Sequence, residues 1–397
     1  MNSYREIRLR PGKEASLQRY HPWVFSGAIA HKPEDMIEGE TVRIVSADGV
    51  FLGVGHFQIG SIAVRIMSFV DEPIDALFYE RRLVNAYKMR LSLNLVRPDN
   101  TIFRLVHGEG DYLPGLIIDI YGDTAVIQAH SVGIHQDLDL VTNALRQLLP
   151  VDVVKHLFYK SEGTLPYKAG LFPENSYLLG GEDVDEIAVE NGLRFRIDWL
   201  KGQKTGFFVD QRENRALLEY YARGRHVLNM FCYTGGFSVY ALRGGAASVV
   251  SVDSSAKAVS MTDQNVSLNF GEDPRHSSSS EDAFKFLKQL PEGEKNLVIL
   301  DPPAFAKHRG AINNALQGYK KLNLHALEKI AVGGLLFTFS CSQVISAEQF
   351  RLAVFSAAAI SGRKVRILHQ LTQPADHPIN IYHPEGEYLK GLVLQVE

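Results

Sequence analysis

The most informative segment of this 397-residue chain is Val227-Leu228-Asn229-Met230-Phe231-Cys232-Tyr233-Thr234-Gly235-Gly236-Phe237-Ser238. It predicts a buried strand that leads into a glycine-containing turn and then into a helix. The two glycines allow the backbone to approach a ligand closely. The spacing is not GxGxxG and no Walker A lysine follows, which disfavours a phosphate-cradling loop. Because any α/β domain can use two glycines in such a turn, the glycines alone leave the function open.

The residues around this segment alternate between strands and helices. Strands are predicted at Ser248–Asp253, Asn296–Asp301 and Gly334–Ser340, and helices at Phe237–Leu242, Ser255–Asn269 and Gly310–Ile330. This alternation indicates an α/β domain over residues 189–397, with a doubly wound and mostly parallel sheet. The low-complexity segment Ser277–Ser280 is interpreted as a flexible loop.

Two further domains are expected before residue 189. At roughly 150 residues per domain, the whole length suggests two or three domains, and a boundary is predicted near Asp71-Glu72-Pro73. Residues 1–72 contain short strands at Thr41–Ser46, Val50–Phe57 and Ile62–Phe69, which indicate a small β-barrel. Residues 73–188 combine helices and strands and predict an α+β central domain. Its helices are predicted at Ile74–Asn94 and His135–Leu149, and its strands at Arg104–Val106, Gly115–Tyr121, Thr124–Ala129 and Val153–Tyr159.

The overall composition excludes several classes of protein. Hydrophobic residues make up 45% of the chain and charged residues 22%, which is unlike disordered, collagen-like or coiled-coil proteins. The net charge of -3 excludes a basic protein that coats nucleic acid, although a local basic face remains compatible with it. The 2 cysteines, Cys232 and Cys341, predict neither a disulfide framework nor a metal site. The absence of a signal peptide or a long apolar segment favours a cytoplasmic location without membrane contact.

Two acidic residues add to the prediction of a cofactor site near the glycine turn. Asp253 ends the second strand of the domain, where a carboxylate can accept hydrogen bonds from both ribose hydroxyls of an adenosine. Asp282 begins a later helix and would either cap it or accept a hydrogen bond from an adenine amino group. Together with the glycines, these residues favour a cofactor that contains adenosine.

The candidate catalytic residues follow the next two strands. The segment Asp301-Pro302-Pro303-Ala304-Phe305 ends one strand, and Ser340-Cys341-Ser342 ends its neighbour. Ligands of such sheets bind beyond the carboxyl ends of the strands, and the two prolines would hold Asp301 and the Pro302 carbonyl in that cleft. A cysteine considered alone is more often a buried packing residue. Its position one strand from Asp301 favours a reactive thiol at Cys341.

These motifs together resemble the S-adenosylmethionine-dependent RNA methyltransferases. More narrowly, the chain is similar to the bacterial large-subunit ribosomal RNA cytosine-5 methyltransferase I family, and the resemblance covers nearly its whole length. Further matching segments are His21–Gly27, Asp111–Asp119 and Gly202–Arg212. The resemblance implies a Rossmann-like class I methyltransferase domain at the C-terminus. It also implies that the N-terminal barrel is a PUA domain, which binds RNA.

The resemblance also implies roles for individual residues. Cys341 would add to C6 of a cytosine, and Asp301 would hold the base while C5 is methylated. The residues implied to bind S-adenosylmethionine are Gln211, Asn229, Phe231, Tyr233, Thr234, Gly235, Asp253, Asp282, Asp301 and Pro302. Cys232 is expected to be a packing thiol. Many RNA cytosine-5 methyltransferases carry a second cysteine where this chain has Pro303-Ala304, so product release would depend on another group.

Local clusters of basic and aromatic residues provide candidate RNA contacts. Residues 1–30 carry five basic and two acidic side chains beside aromatic residues that could stack on bases. The RNA-binding residues predicted in this and two other clusters are Arg10, Lys13, Trp23, Lys204, Arg212, Lys307 and Arg309. The predicted partner is ribosomal RNA, either 23S or a large-subunit assembly intermediate. An exposed strand edge in the N-terminal region would allow two copies to pair as a homodimer.

Two other functions fit part of the same pattern. One is methylation of a base nitrogen such as a guanine exocyclic amine, because Asp-Pro-Pro and a nearby aromatic residue can hold an amine; that chemistry has no need of Cys341. The other is a non-catalytic ribosome assembly factor with a vestigial cofactor pocket.

Overall fold

A computed structural model describes residues 4–166 and 169–397. These residues form two compact units. The first contains the described residues of Met1–Val189, Ile197–Val209 and Ala375–Gly386, and the second contains Glu190–Arg196, Asp210–Pro374 and Glu387–Glu397. Within the described ranges, no helix has both the length and the apolar character needed to cross a bilayer.

The first unit begins with a six-stranded sheet of order β2-β6-β5-β4-β1-β3. Its elements are β1 (Arg5–Leu9), α1 (Ala15–Gln18), β2 (Trp23–Phe25), β3 (Ile29–His31), β4 (Thr41–Val45), β5 (Phe51–Phe57) and β6 (Ile62–Ser68). Along β1, Ile7 and Leu9 are buried while Glu6 and Arg8 are exposed. This alternation places one face of the strand against a separate apolar core.

The rest of the first unit is built around a five-stranded sheet of order β11-β10-β9-β8-β7. Its elements are α2 (Ala76–Ser92), β7 (Ile102–His107), β8 (Leu116–Tyr121), β9 (Thr124–Ala129), α3 (Val132–Gln136), α4 (Leu138–Leu148), β10 (His156–Tyr159) and β11 (Ser176–Leu179). The prediction of one helix over His135–Leu149 is wrong, because α3 and α4 meet at Asp137. The carboxylate of Asp137 accepts a hydrogen bond of 2.6 Å from the Tyr79 hydroxyl, a tertiary contact at the break.

The second unit contains a seven-stranded sheet of order β16-β15-β14-β17-β18-β20-β19. The strands are β14 (His226–Met230), β15 (Ser248–Asp253), β16 (His276–Ser280), β17 (Leu297–Leu300), β18 (Gly334–Ser340), β19 (Val365–Thr372) and β20 (Lys390–Val396). Earlier in the chain, most of β12 (Ile187–Glu190) belongs to the first unit and β13 (Leu193–Arg196) belongs to the second. The helices are α5 (Arg212–Tyr221), α6 (Gly236–Arg243), α7 (Ala256–Phe270), α8 (Ala283–Gln289), α9 (Ile312–Lys329) and α10 (Ala347–Ser361). The first five strands of the order pair in parallel, and only β20 runs in the opposite direction, because it pairs antiparallel with both β18 and β19. This arrangement confirms the predicted doubly wound and mostly parallel sheet.

The interpretation of Ser277–Ser280 as a loop is wrong, because these serines form most of β16. The strand pairs with β15 in parallel, with Ser277 opposite Val250 and Ser280 opposite Asp253. It lies at the edge of the sheet, where one neighbour supplies its backbone hydrogen bonds and no apolar side chains are required. The sequence therefore carries no hydrophobic pattern that would reveal the strand.

Strand register brings the ends of the central strands together. Met230 on β14 lies opposite both Val252 on β15 and Leu300 on β17, and Leu300 lies opposite Thr338 on β18. From β14 the chain builds the sheet towards β16, then returns to build β17 and β18 on the other side. Ligands of open α/β sheets bind beyond the carboxyl ends of the strands at such a reversal.

Candidate active site

The turn after β14 has an unusual backbone. Phe231, Tyr233 and Gly235 have φ values of 59°, 48° and 79°. Bulky residues rarely adopt this left-handed region, and they remain there only when the surrounding structure holds them. The N–H of Cys232 donates to the Val252 carbonyl at 3.0 Å, which ties the turn to β15. Such strained turns are typical of ligand-binding loops.

Asp253 holds this turn through its carboxylate. One oxygen accepts the N–H of Tyr233 at 3.0 Å, and the other accepts the N–H of Ser255 at 2.9 Å. The side chain is only partly buried. Each carboxylate oxygen has lone pairs beyond those used in these bonds, so Asp253 can also accept hydrogen bonds from the hydroxyls of a ribose.

Helix α7 supports the turn from the other side. The Thr262 hydroxyl donates to the Tyr233 carbonyl at 2.9 Å, and the Asn265 amide donates to the Thr234 carbonyl at 2.8 Å. A Cβ atom on Gly235 would lie 2.6 Å from the Thr262 methyl carbon. Gly235 is therefore required both by its positive φ and by close packing against α7.

Three of the predicted cofactor residues, Gln211, Asn229 and Thr234, have side chains that are buried within the protein. Asn229 is 1% exposed and donates to the Ser238 hydroxyl at 2.9 Å, which links β14 to α6. Gln211 is 3% exposed and accepts a hydrogen bond from Asn214. These side chains make contacts within the protein, and a direct contact with the cofactor stays a prediction.

Asp282 has one of the two roles that the sequence predicted. Its carboxylate accepts the N–H of Lys285 at 2.9 Å and so caps the N-terminus of α8. The side chain is exposed beyond the end of β16, and the backbone of the preceding Glu281 donates to the Asp253 carbonyl at 3.0 Å.

The two candidate catalytic residues follow neighbouring strands of the sheet. Asp301 comes directly after β17, and Cys341 comes directly after β18. The thiol of Cys341 lies 3.9 Å from the carbonyl oxygen of Pro302. Asp301 and Cys341 are both partly buried, so each retains access to a ligand at this edge.

Buried polar residues lie beside the segment that carries the thiol, and the sequence motifs do not point to them. The Ser340 hydroxyl donates to the Tyr319 hydroxyl of α9 at 2.9 Å. Burial raises the pKa of Tyr319 to about 12, and the nearby Cys341 and Asp301 act in the same direction. Tyr319 therefore remains protonated at neutral pH. Lys390, the first residue of β20, lies opposite Ser340 and donates to the Ser342 carbonyl at 2.6 Å.

The second cysteine has a different environment. Cys232 is 6% exposed, and its sulfur lies 3.6 Å from the Thr262 hydroxyl. Burial raises the pKa of this thiol to about 12. It is protonated at neutral pH, which confirms the prediction that Cys232 is a packing thiol.

The predicted RNA-binding residues differ in their accessibility. The exposed ones are Arg10, Lys13, Lys204, Lys307 and Arg309. Trp23 is partly buried and donates through its indole N–H to Glu109 at 2.8 Å.

The prediction that Arg212 binds RNA is not supported, because it is 1% exposed and donates to Glu213. Its neighbour Arg215, which belongs to the same basic cluster of the sequence, is also buried and donates to both carboxylate oxygens of Glu190, at 2.9 and 2.7 Å.

The sequence and fold of this chain match those of known proteins. Residues 168–381 match the S-adenosylmethionine-dependent methyltransferase family, and residues 7–69 match the PUA-like domain. Ribosomal RNA large subunit methyltransferase I of Alteromonas mediterranea is 40% identical over 396 residues, with 98% of each chain covered. The protein of that name from Tolumonas auensis is 41% identical over 398 residues, again with 98% of each chain covered. The chain belongs to the ribosomal RNA large subunit methyltransferase I family.

Two solved structures share the fold of this family member. A SAM-dependent methyltransferase from Streptococcus mutans has a TM-score of 0.83 at 22% identity, covering 98% of this chain and all of the other. SMU.776, a methyltransferase complexed with SAH, has a TM-score of 0.84 at 23% identity with the same coverage. These matches confirm the predicted fold class, a PUA-like domain followed by a class I methyltransferase domain.

Membership of the methyltransferase I family also confirms S-adenosylmethionine as the cofactor. The strained turn of residues 231–235 and the carboxylate of Asp253 fit this molecule, because a glycine-containing turn and an acceptor for ribose hydroxyls lie together at the carboxyl ends of β14 and β15. The thiol of Cys341 and the carboxylate of Asp301 follow the next strands at the same edge.

Proposed function

We propose that this S-adenosylmethionine-dependent methyltransferase modifies large-subunit ribosomal RNA and forms 5-methylcytosine. The relatives are named for large-subunit ribosomal RNA, which supports that substrate. The observation that carries the choice of base is the thiol of Cys341, which lies 3.9 Å from the Pro302 carbonyl and follows the strand next to Asp301. A thiol in this position has a specific use in the methylation of a pyrimidine carbon.

Cytosine C5 is a poor nucleophile, and covalent catalysis by Cys341 would activate it. Bound S-adenosylmethionine supplies an electrophilic methyl group. The Cys341 thiolate forms a bond to C6, and the electron pair of the C5–C6 double bond becomes available at C5. Asp301 holds the N3 and amino edge of the base and favours the protonated adduct.

Product release reverses the addition after C5 carries its methyl group. A base removes the C5 proton, the electron pair re-forms the C5–C6 double bond, and the thiolate leaves C6. The position where related enzymes carry a second cysteine is Pro303-Ala304 in this chain. The base that takes the proton is therefore a group other than a thiol at that position.

The first unit offers surface features that suit single-stranded RNA. Tyr20 and Tyr382 are 51% and 45% exposed, and their ring centroids are 5.3 Å apart. The exposed cations Arg10 and Lys13 lie in the same unit. Aromatic rings that stack on bases, combined with cations that contact phosphates, are typical of RNA recognition. These contacts are local, so the net charge of -3 does not oppose them.

The test is bisulfite mapping of large-subunit ribosomal RNA from a strain that lacks this protein. One 5-methylcytosine should disappear in the deletion strain and return with the wild-type gene but not with Cys341→Ser. Calorimetry should show that the purified Cys341→Ser protein still binds S-adenosylmethionine. If the variant restores the modification, the thiol mechanism is wrong.

The same strains separate the two alternatives. Loss of a methyl group from a guanine nitrogen, detected by mass spectrometry of nucleosides, would replace cytosine with guanine as the substrate. Phe305 argues against that alternative, because its ring packs on Tyr319 with centroids 4.6 Å apart. An assembly factor without activity would leave every methyl group in place and would show no cofactor binding by calorimetry.

A further inference from the structure

A buried lysine lies beside the segment that carries the candidate nucleophile. Lys390 begins β20 and lies opposite Ser340, the last residue of β18. Cys341 follows Ser340 directly. Lys390 is only 5% exposed, although lysine is among the residues least often buried.

The ammonium group of Lys390 is held by the turn that follows Cys341. It donates to the carbonyl of Ser342 at 2.6 Å and to the carbonyl of Ile345. The Ser342 hydroxyl in turn donates to the Ala306 carbonyl at 2.6 Å. The lysine therefore fixes the backbone on the C-terminal side of the thiol.

The charge of Lys390 is not neutralised by a close carboxylate. In the part of the chain that the structure describes, its hydrogen bonds go to carbonyl oxygens, and no carboxylate oxygen lies within 4 Å of its ammonium group. Burial lowers the pKa of Lys390 to about 8, while Cys341 and Glu387 act in the opposite direction. Below that pH the group carries a positive charge in a poorly solvated place. A buried charge of this kind is costly unless it is compensated by an anion.

Several groups face this thiol and this lysine. Glu387 and Cys341 are close enough to influence Lys390. Cys341 and Asp301 are both close enough to Tyr319 of α9 to influence its pKa. Tyr319 is neutral at physiological pH, and Asp301 carries a carboxyl group. Among these groups, Lys390 is the one that carries a positive charge when it is protonated.

We propose that Lys390 is a positioning residue that holds the Cys341 segment and stabilises the Cys341 thiolate by its charge. A nearby cation favours the thiolate over the thiol, and the thiolate is the nucleophilic form. The purpose of this arrangement rests on the proposed function, in which Cys341 adds to a pyrimidine. The electrostatic effect itself can be measured without RNA.

The test is the pH dependence of iodoacetamide alkylation at Cys341 in the full-length protein, followed by peptide mass mapping. In the wild-type protein, the midpoint of the reactivity curve should lie below the ordinary thiol value of about 8.5. In Lys390→Met the midpoint should rise by about one pH unit, with a roughly ten-fold slower reaction at pH 7. Lys390→Arg keeps the charge and should retain most of the low midpoint.

A matched control is Lys295→Met. Lys295 is another buried lysine, 6% exposed. It lies just before β17, at the amino end of that strand, whereas Cys341 lies beyond the carboxyl end of the neighbouring strand. Its substitution should leave the Cys341 midpoint unchanged, whereas a general loosening of the domain would shift the curve in both variants. An unchanged midpoint in folded Lys390→Met would overturn the proposal. If that variant does not fold, a wild-type midpoint at or above about 8.5 would overturn it equally.

This result is independent of the bisulfite test. A raised midpoint in Lys390→Met together with full activity of Cys341→Ser would retain the electrostatic role and refute the cytosine mechanism. An unchanged midpoint together with an inactive Cys341→Ser would support the cytosine mechanism and refute the electrostatic role of Lys390. If the electrostatic role of Lys390 and the cytosine mechanism are both correct, Lys390→Met should also shift the pH at which kcat/KM rises. That shift should be to higher pH and equal to the shift of the alkylation curve.

Discussion

The hydroxyl of Ser342 donates a hydrogen bond of 2.6 Å to the carbonyl oxygen of Ala306. This bond connects the segment after β18, which carries Cys341, to the segment after β17, which carries Asp301. Both ends of the bond are buried. The two candidate catalytic groups therefore belong to segments that are held together, which fixes the thiol relative to the carboxylate.

Replacing Ser342 by alanine should reduce activity more than binding. The Ala306 carbonyl would lose its partner inside the protein, at a cost of about 1–3 kcal/mol in the free energy of unfolding. Displacement of either segment should lower kcat by about ten-fold or more, with little change in the KM for S-adenosylmethionine. Steady-state kinetics would show this. The control is Ser356→Ala on α10, where a half-buried serine donates to the Leu352 carbonyl of its own helix.

Asp253→Ala should weaken binding of the cofactor. The carboxylate holds the N–H groups of Tyr233 and Ser255 and is the predicted partner of the ribose. Hydrogen bonds to charged groups contribute about 1.5–3 kcal/mol each, so the Kd for S-adenosylhomocysteine should rise about ten-fold to a hundred-fold. Calorimetry measures this directly. Asp273→Ala is the control, because Asp273 pairs with Arg275 before β16, at the far end of that strand. Equal losses in both variants would contradict a specific role for Asp253.

The central strands could be predicted from the sequence because they are largely buried, β18 along its whole length and β15 at Val249, Ser251 and Val252. Strands of this kind appear as continuous apolar runs, and the predicted bounds of Ser248–Asp253 and Gly334–Ser340 match the structure. Asp253, Asp301 and Cys341 each stand at the end of a predicted strand, so the sequence places all three at the carboxyl ends of the strands. Parallel strands dictate that placement, whatever the details of packing.

The basic residues of α5 show where such reasoning fails. Arg212 is predicted to bind RNA, yet both it and its neighbour Arg215 are buried. They lie on one helical face with Leu218, at successive spacings of three, and Leu218 is fully buried. That spacing is a signal that could have identified the face. The partner of Arg215 is Glu190, 25 positions earlier, and only the folded chain reveals that pairing.

Alkylation at pH 8 should distinguish the two cysteines. Burial raises the pKa of the Cys232 thiol to about 12. A thiol with a raised pKa keeps its proton until the pH approaches the new value, so about one in ten thousand Cys232 side chains is a thiolate at pH 8. Iodoacetamide should modify Cys341 in the folded protein and Cys232 only after unfolding in urea. Peptide mass mapping would show which cysteine is modified first. Modification of Cys232 before unfolding would contradict its burial.

Gly235→Ala should destabilise the protein and disturb the cofactor turn. The residue has a φ of 79°, and an added Cβ would lie 2.6 Å from the methyl carbon of Thr262. The backbone conformation costs about 1–2 kcal/mol for a residue other than glycine, and the close contact adds to that cost. The midpoint of chemical unfolding should fall, and the Kd for S-adenosylhomocysteine should rise because the turn must shift away from α7.

The backbone cost and the packing cost of Gly235→Ala can be separated with matched variants. Gly362 has the same left-handed backbone, with a φ of 69° and a ψ of 3°, and no atom lies within 4 Å of an added Cβ, so Gly362→Ala should show only the backbone cost. Thr262→Ser removes the methyl group that the Cβ added at Gly235 would meet, and it keeps the hydroxyl that donates to the Tyr233 carbonyl at 2.9 Å. Thr262→Ser should therefore restore part of the stability and binding lost in Gly235→Ala. If it restores nothing, the loss comes from the backbone strain alone, and packing against α7 is not what selects glycine at this position.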